Sequence, residues 1–259
     1  ASIRFKTISY QDEEKFPYEE FNNFIKWAST TYPEFHKVME IEQLEHSLLF
    51  KWQGSDSMLA PILFEGHHDV VPIIPGTENL WQEDPFAGVI SNNRIWGRGA
   101  LDDKSGVIGL MEAATYLIKN NFKPKRTIYF SFGHDEEVGG SGAALITEKL
   151  RQEGVQLSWS LGEGSFVNKG FFPGIDKFIA PINVAEKGSA NIMIIAKAKG
   201  GHSSTPPTRT AVTILAEALV KLEKEPLPGS LEGLSAAMFN EVSKHMPFGY
   251  RFLFANRWL

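Results

Sequence analysis

Pro61-Ile62-Leu63-Phe64-Glu65-Gly66, running into His67-His68-Asp69, is the stretch from which the rest of the chain can be read. A short apolar run of this kind fits a buried strand, and donor-bearing side chains follow at its end. Two similar runs lie downstream. Thr127-Ile128-Tyr129-Phe130-Ser131-Phe132 leads into His134-Asp135-Glu136-Glu137, and Leu157-Ser158-Trp159-Ser160-Leu161 leads into Gly162-Glu163-Gly164. Between them, Val107, Ile108, Leu110, Met111, Ala114, Leu117 and Ile118 recur at helical spacing and predict a helix from Lys104 to Lys119. Another helix is expected over 142–153. Strand, helix, strand, helix, strand is the order of an α/β fold, with a mostly parallel central sheet flanked by helices. Open sheets of this type bind ligands beyond the carboxyl ends of their strands, where all three runs deliver acidic or imidazole groups.

Upstream, Tyr18, Phe21, Phe24, Ile25 and Ala28 share a helical face that Pro33 ends. Ser47-Leu48-Leu49-Phe50-Lys51-Trp52 reads as a strand closed by the turn Gly54-Ser55-Asp56-Ser57. A loop rich in Pro, Gly and Asn is expected from Val70 to about residue 100. After about residue 185 the pattern changes. Ser189 to Lys199 alternates as a half-exposed strand does, Gly200-Gly201 breaks it, and helices are expected over 210–223 and 233–245. The chain thus divides into an α/β unit over 1–184 and the start of a smaller one over 185–259.

Composition narrows the function. The chain has 259 residues, 42% hydrophobic and 22% charged, as globular proteins do. A net charge of −5 argues against a nucleic-acid partner. No apolar run reaches the ~18 residues of a membrane span, and no leader-like segment opens the chain. With no cysteine, thiolate zinc sites, disulfides and cysteine nucleophiles are excluded, while the compartment stays open. The chain begins Ala1-Ser2-Ile3-Arg4-Phe5 and stops at Arg257-Trp258-Leu259. Neither reads as a natural terminus, so an upstream leader or a downstream half is expected to be missing.

The donor set is His67, Asp69, Asp102, Glu136, Glu137 and Glu163. Imidazole and carboxylate without thiolate suit Zn²⁺, Co²⁺ or Mn²⁺ in a catalytic site. Two metals about 3.5–4 Å apart need a bridging carboxylate. Asp102, held by Gly97-Arg98-Gly99-Ala100-Leu101 before a helix, suits that role, while Asp103 is expected to cap the helix. In His67-x-Asp69 the aspartate can accept the far ring N–H of the histidine and fix its tautomer. Glu136 and Glu137 are adjacent, so one can face a metal while the other serves as general base. Spacing alone supports metal-assisted hydrolysis and nothing finer.

Four motifs occur in order: Gly66-His67-His68-Asp69-Val70-Val71-Pro72, Gly97-Arg98-Gly99-Ala100-Leu101-Asp102-Asp103-Lys104, Asp135-Glu136-Glu137-Val138-Gly139-Gly140 and Gly201-His202-Ser203-Ser204-Thr205-Pro206. Together they resemble the di-zinc metallopeptidase family M20, with closest similarity to its carboxypeptidase S and N-acyl-amino-acid hydrolase branch. That branch also shows a lid segment like Glu186-Lys187-Gly188 followed by Gly201 to Pro207. The resemblance implies a zinc-exopeptidase architecture in which 1–184 is the first part of a catalytic domain and 185–259 begins an inserted α/β lid. It implies two Zn²⁺, with His67 on one, Glu137 on the other and Asp102 bridging them. It further makes Glu136 the general base, Asp69 the residue orienting His67, and His202 a lid residue that supports the substrate carboxylate or the oxyanion, often across a homodimer. The implied reaction is hydrolysis, or reverse condensation, of an amide next to a free carboxylate in a small peptide or N-acyl amino acid.

Two departures stand out. The branch usually reads Leu-Asp-Glu-Gly where this chain has Leu161-Gly162-Glu163-Gly164, so a third ligand to the first metal has to be Glu163. The family's last ligand is a histidine far downstream, and none of the seven histidines here replaces it. By that comparison the site lacks one ligand, and the lid sheet and part of the catalytic sheet are missing. The chain alone is therefore expected to be poorly soluble and inactive. The same departures motivate a second reading, a catalytically silent binding or assembly module.

Overall fold

The computed structural model describes residues 1–186 and 188–256. Lys187 of the lid-segment motif and Arg257-Trp258-Leu259 lie outside the described residues. Chain contacts separate two units, Ala1–Glu163 and the residues from Gly164 onward.

The first unit opens on the short 3-10 turn Ser2–Arg4 and then α1, Tyr18–Thr31. Phe21, Phe24 and Ala28, three or four residues apart, are its buried side chains. Pro33 ends α1 and also begins an unexpected helix, α2 (Pro33–Val38), because proline at the first helical position gives up an N–H that has no partner there. An equally unexpected strand follows. β1 (Glu40–Leu44) pairs antiparallel with β2 (Ser47–Trp52) through a tight turn in which Glu45 takes φ 55°. Its Glu-Ile-Glu-Gln-Leu sequence is that of a charged edge strand, with Glu40 salt-bridged to Lys51 across the pair at 3.1 Å.

β3 (Ile62–His67) is the predicted buried strand. Within the expected loop beyond it, β4 (Ile90–Ser91) and β5 (Arg94–Ile95) form a small hairpin turned by Asn92 and Asn93, both at positive φ. Then come α3 (Lys104–Lys119), β6 (Ile128–Gly133), α4 (Gly142–Gln152) and β7 (Trp159–Leu161), each close to its predicted bounds. The sheet order is β1-β2-β6-β3-β7. β3 lies parallel to both β6 and β7, whereas β2 joins β6 antiparallel. The carboxyl ends of β3, β6 and β7 therefore share one edge.

Both faces of the sheet are covered, as alternating side chains require. On one, Phe50, Phe130 and Phe132 pack with Phe24, Phe35, Val107 and Met111 from α1, α2 and α3. On the other, Leu49, Leu63 and Tyr129 meet Ile146 and Leu150 of α4.

In the second unit, β8 (Asn168–Lys169) pairs antiparallel with β9 (Phe178–Ile179). The helices are α5 (Ala211–Lys224), α6 (Gly233–Ser243) and α7 (Phe248–Ala255). A capping box between Thr210 and Thr213 starts α5, and Phe239 stacks on Phe254 between α6 and α7. The strand expected over 189–199 does not form. Its alternation is real, but a strand needs a ladder partner, and none of the described residues pairs with it. α7 lies where only an apolar stretch was foreseen.

Candidate metal centre

The shared edge of β3, β6 and β7 gathers the predicted donors. His67 is the last residue of β3 and pairs in register with Gly133 at the end of β6, so Asp69 and the Glu136–Glu137 turn emerge side by side. Asp69 is fully buried. Its Oδ1 lies 3.2 Å from His67 Nδ1 and accepts the Glu136 N–H at 3.2 Å, and its Oδ2 accepts the Glu137 N–H at 3.1 Å. One carboxylate thus orients the imidazole and holds the neighbouring turn. The loop before α3 supplies Asp102, whose Oδ1 lies 3.0 Å from His67 Nε2. Glu163, after β7, reaches the same nitrogen at 3.3 Å, and Glu136 Oε2 lies 3.9 Å from it.

Ligand atoms of His67, Asp102 and Glu137 all lie within 4.8 Å of one another, as do those of His67, Asp103 and Glu163. Asp103 does cap α3, accepting the Gly106 N–H at 3.2 Å, but its other oxygen accepts the backbone N–H of His67, also at 3.2 Å. Sequence reading missed this second bond, whose only trace is the Asp-Asp doublet before the helix.

The electrostatics fit a divalent cation. Burial works against a charged His67, but its hydrogen bond to Asp69 and the charges of Asp69, Glu163 and Glu136 prevail and raise it to about 10. Burial raises Glu163 to about 7; His67 opposes this, and the crowding of Asp102, Asp103 and Glu136 adds to it. Glu137 is pushed up for the same reasons, burial first and then Asp102. Burial pushes Asp69 up most strongly, but its hydrogen bonds to His67 and Ser9 and the charge of His67 together hold it below the ordinary carboxylate range. Carboxylates massed around one imidazole, with a protonated nitrogen as the local compensating charge, form a donor set that a hard or borderline cation would neutralise.

His68 points away into the core, stacked on Phe24 at 4.9 Å and 7°, and burial drives it down to about 3. It is a packing residue. His202 belongs to the second unit, where its Nδ1 accepts from the Ser204 N–H and lies 2.7 Å from Ser204 Oγ. The cluster is built wholly from the first unit.

An α/β sheet that gathers histidine and carboxylates at its carboxyl edge offers a donor set that could hold a metal ion. Comparison with known families matches residues 63–255 to Peptidase family M20/M25/M40, and the chain belongs to that family. It is 39% identical over 261 residues to the probable carboxypeptidase S-like 2 of Dictyostelium discoideum, covering 98% of this chain and 50% of that protein. With the human N-fatty-acyl-amino acid synthase/hydrolase PM20D1 it shares 40% identity over 227 residues, 86% of this chain and 43% of the relative. The chain spans about half the length of the curated relatives it matches. Human carnosine dipeptidase 1 shares the fold, with a TM-score of 0.51 at 20% identity over 67% of this chain and 38% of that one.

Proposed function

We propose that the protein hydrolyses an amide bond next to a free carboxylate, in small peptides or N-acyl amino acids. The observation that carries this is the convergence of His67, Asp102 and Glu137 within 4.8 Å. The substrate class draws support from relatives named as a carboxypeptidase S-like protein and an N-fatty-acyl-amino acid hydrolase.

In this reading the site takes two Zn²⁺, with Co²⁺ or Mn²⁺ as substitutes. His67 and Glu163 would hold one ion and Glu137 the other, with Asp102 shared between them. Bound zinc supplies Lewis acidity that polarises the scissile carbonyl and acidifies water. The chain's own groups do the rest. Asp69 keeps the proton of His67 on Nδ1 and leaves Nε2 as the donor. Glu136, set beside the cluster by the Asp69 bond to its N–H, takes the proton of the attacking water and returns it to the leaving amine. His202 supports the substrate carboxylate or oxyanion from a lid spanning 185–259, through which two copies pair. No nucleic acid takes part, and among the described residues no helix is long and apolar enough to cross a membrane.

Metal analysis of the full-length protein, with the Glu136→Gln variant, tests this. The expected result is two metals per chain in both proteins and a loss of about 10²–10⁴-fold in turnover in the variant. A second reading, a silent binding module, is favoured by one observation: Gly162, at the position usually held by aspartate, has no donor side chain. No metal uptake at micromolar zinc supports that alternative.

A further inference from the structure

Among the described residues Lys104 is the one lysine in the set of largest fully buried side chains, at 1% exposure. A buried ammonium ordinarily finds a carboxylate. Here both acceptors are main-chain carbonyls of the amino-terminal segment: Phe5 O at 2.6 Å and Ser2 O at 3.3 Å, with the Phe24 ring 5.6 Å away. The lysine is also the first residue of α3, next to the Asp102–Asp103 pair.

The segment it grips touches both loops that converge on His67. Thr7 Oγ1 donates to His68 O, the Val70 N–H to Thr7 O at 2.9 Å, and the Ser9 N–H to Val70 O at 3.2 Å, so residues 7–9 run along the exit from β3. Ile3 packs against Gly97 and Gly88, where an added Cβ would run into its side chain. The stem of Lys104 lies over Gly99, whose Cβ would sit 3.2 Å from Lys104 Cδ and 2.7 Å from Val70 Cγ1. Gly97 and Gly99 both have positive φ, so these close approaches depend on glycine. Residues 2–9 therefore bind the His67–Val70 exit to the Gly97–Asp103 loop, and His67 and Asp102 stand at the two ends of that joint.

We propose that residues 2–9 are a clasp that sets the spacing of His67 and Asp102, and that Lys104 is its latch: a positioning residue for the metal centre, not a ligand. The inference rests on the metal reading above.

The test is Co²⁺ binding by the full-length protein, read as affinity and as the visible d–d spectrum, well below the melting temperature. Lys104→Met keeps the stem and removes the donors. It is expected to weaken Co²⁺ binding by roughly tenfold or more and to alter the spectrum, the size of effect seen when an outer contact to a ligand is lost. Ile3→Ala should do the same more mildly. The two together should cost less than the product of their separate effects, because both act through one clasp. Ile146→Val, in the core on the α4 face, lowers stability and should leave affinity and spectrum unchanged. If Lys104→Met does not fold, Ile3→Ala is read in its place against the same expectations. A wild type that binds Co²⁺ while both clasp variants bind it equally well overturns the clasp alone, and so does an equal loss in Ile146→Val. A wild type that takes up no Co²⁺ overturns the metal reading first, and the clasp with it.

Discussion

Asp69 shows how much one side chain can organise. Three N–H groups close on its carboxylate: His67 Nδ1, Glu136 N and Glu137 N. Asn at this position is nearly isosteric but turns one acceptor into a donor, which must then face a donor in a dry site. Asp69→Asn is therefore expected to lower metal affinity by about 10–100-fold and stability by about 1–3 kcal/mol, measured by calorimetric titration and by urea unfolding. His68, its neighbour, behaves oppositely. Its folded pKa, about 3, lies below the ordinary 6.5, so the unfolded chain binds a proton there first as pH falls. The stability tied to that neutral ring is complete above the unfolded value and drains away as pH drops toward the folded one. At about pH 5 the loss is on the order of 2 kcal/mol. Urea unfolding of the metal-free protein at about pH 7.5 and about pH 5 checks this: His68→Leu should show a shallower pH slope than wild type. The donor residues were legible from sequence because their chemistry and their place at strand ends are local facts. The capping by Asp103 was legible too, but its second bond to the His67 N–H and the tasks of Thr7 and Lys104 were not, because each is defined by a partner tens of residues away.

Helix α3 begins where the Gly97–Asp103 loop ends, and its cap ties the helix to β3. Asp103 satisfies the Gly106 N–H at the helix start and the His67 N–H at the end of β3. Asp103→Ala removes both acceptors. Loss of an N-cap costs about 0.5–2 kcal/mol, and an orphaned buried N–H about 1–3 kcal/mol more. The expected outcome is a lower urea midpoint with an unchanged slope, together with weaker metal binding, since the His67 backbone loses its anchor. A midpoint within error of wild type would remove Asp103 from this role. At this scale the sequence was readable where burial was decisive: β2, β3, β6 and α3 carry long apolar patterns and formed close to their predicted bounds. β1 escaped because a charged edge strand carries little apolar signal, and α2 because Pro33 read as an end rather than a start. The false strand over 189–199 marks the converse, a pattern whose pairing is not local.

For the molecule as a whole, the sheet order β1-β2-β6-β3-β7 could not be read from the chain, since β2 enters antiparallel beside β6 and precedes β3 in sequence. What could be read was that β3, β6 and β7 run in parallel, which is enough to bring their ends together. The two units differ in how they use apolar residues. The first buries apolar side chains on both faces of the sheet, aromatic on the α1–α3 face and mainly aliphatic on the α4 face. In the second, Val212, Leu222, Phe248 and Leu253 are exposed by 76%, 56%, 80% and 64%. Single exposed apolar residues are ordinary, but so many on α5 and α7 leave surface that water does not favour. Residues 1–259 expressed by themselves are therefore expected to enhance the fluorescence of a hydrophobic dye such as ANS, to associate as concentration rises, and to show no turnover on N-acyl amino acids or dipeptides. Light scattering, dye titration and an activity assay on one preparation check this together. A monodisperse monomer that melts cooperatively, binds no dye and turns over substrate would show that the exposed helical faces need no covering and that the ligands already gathered around His67 suffice.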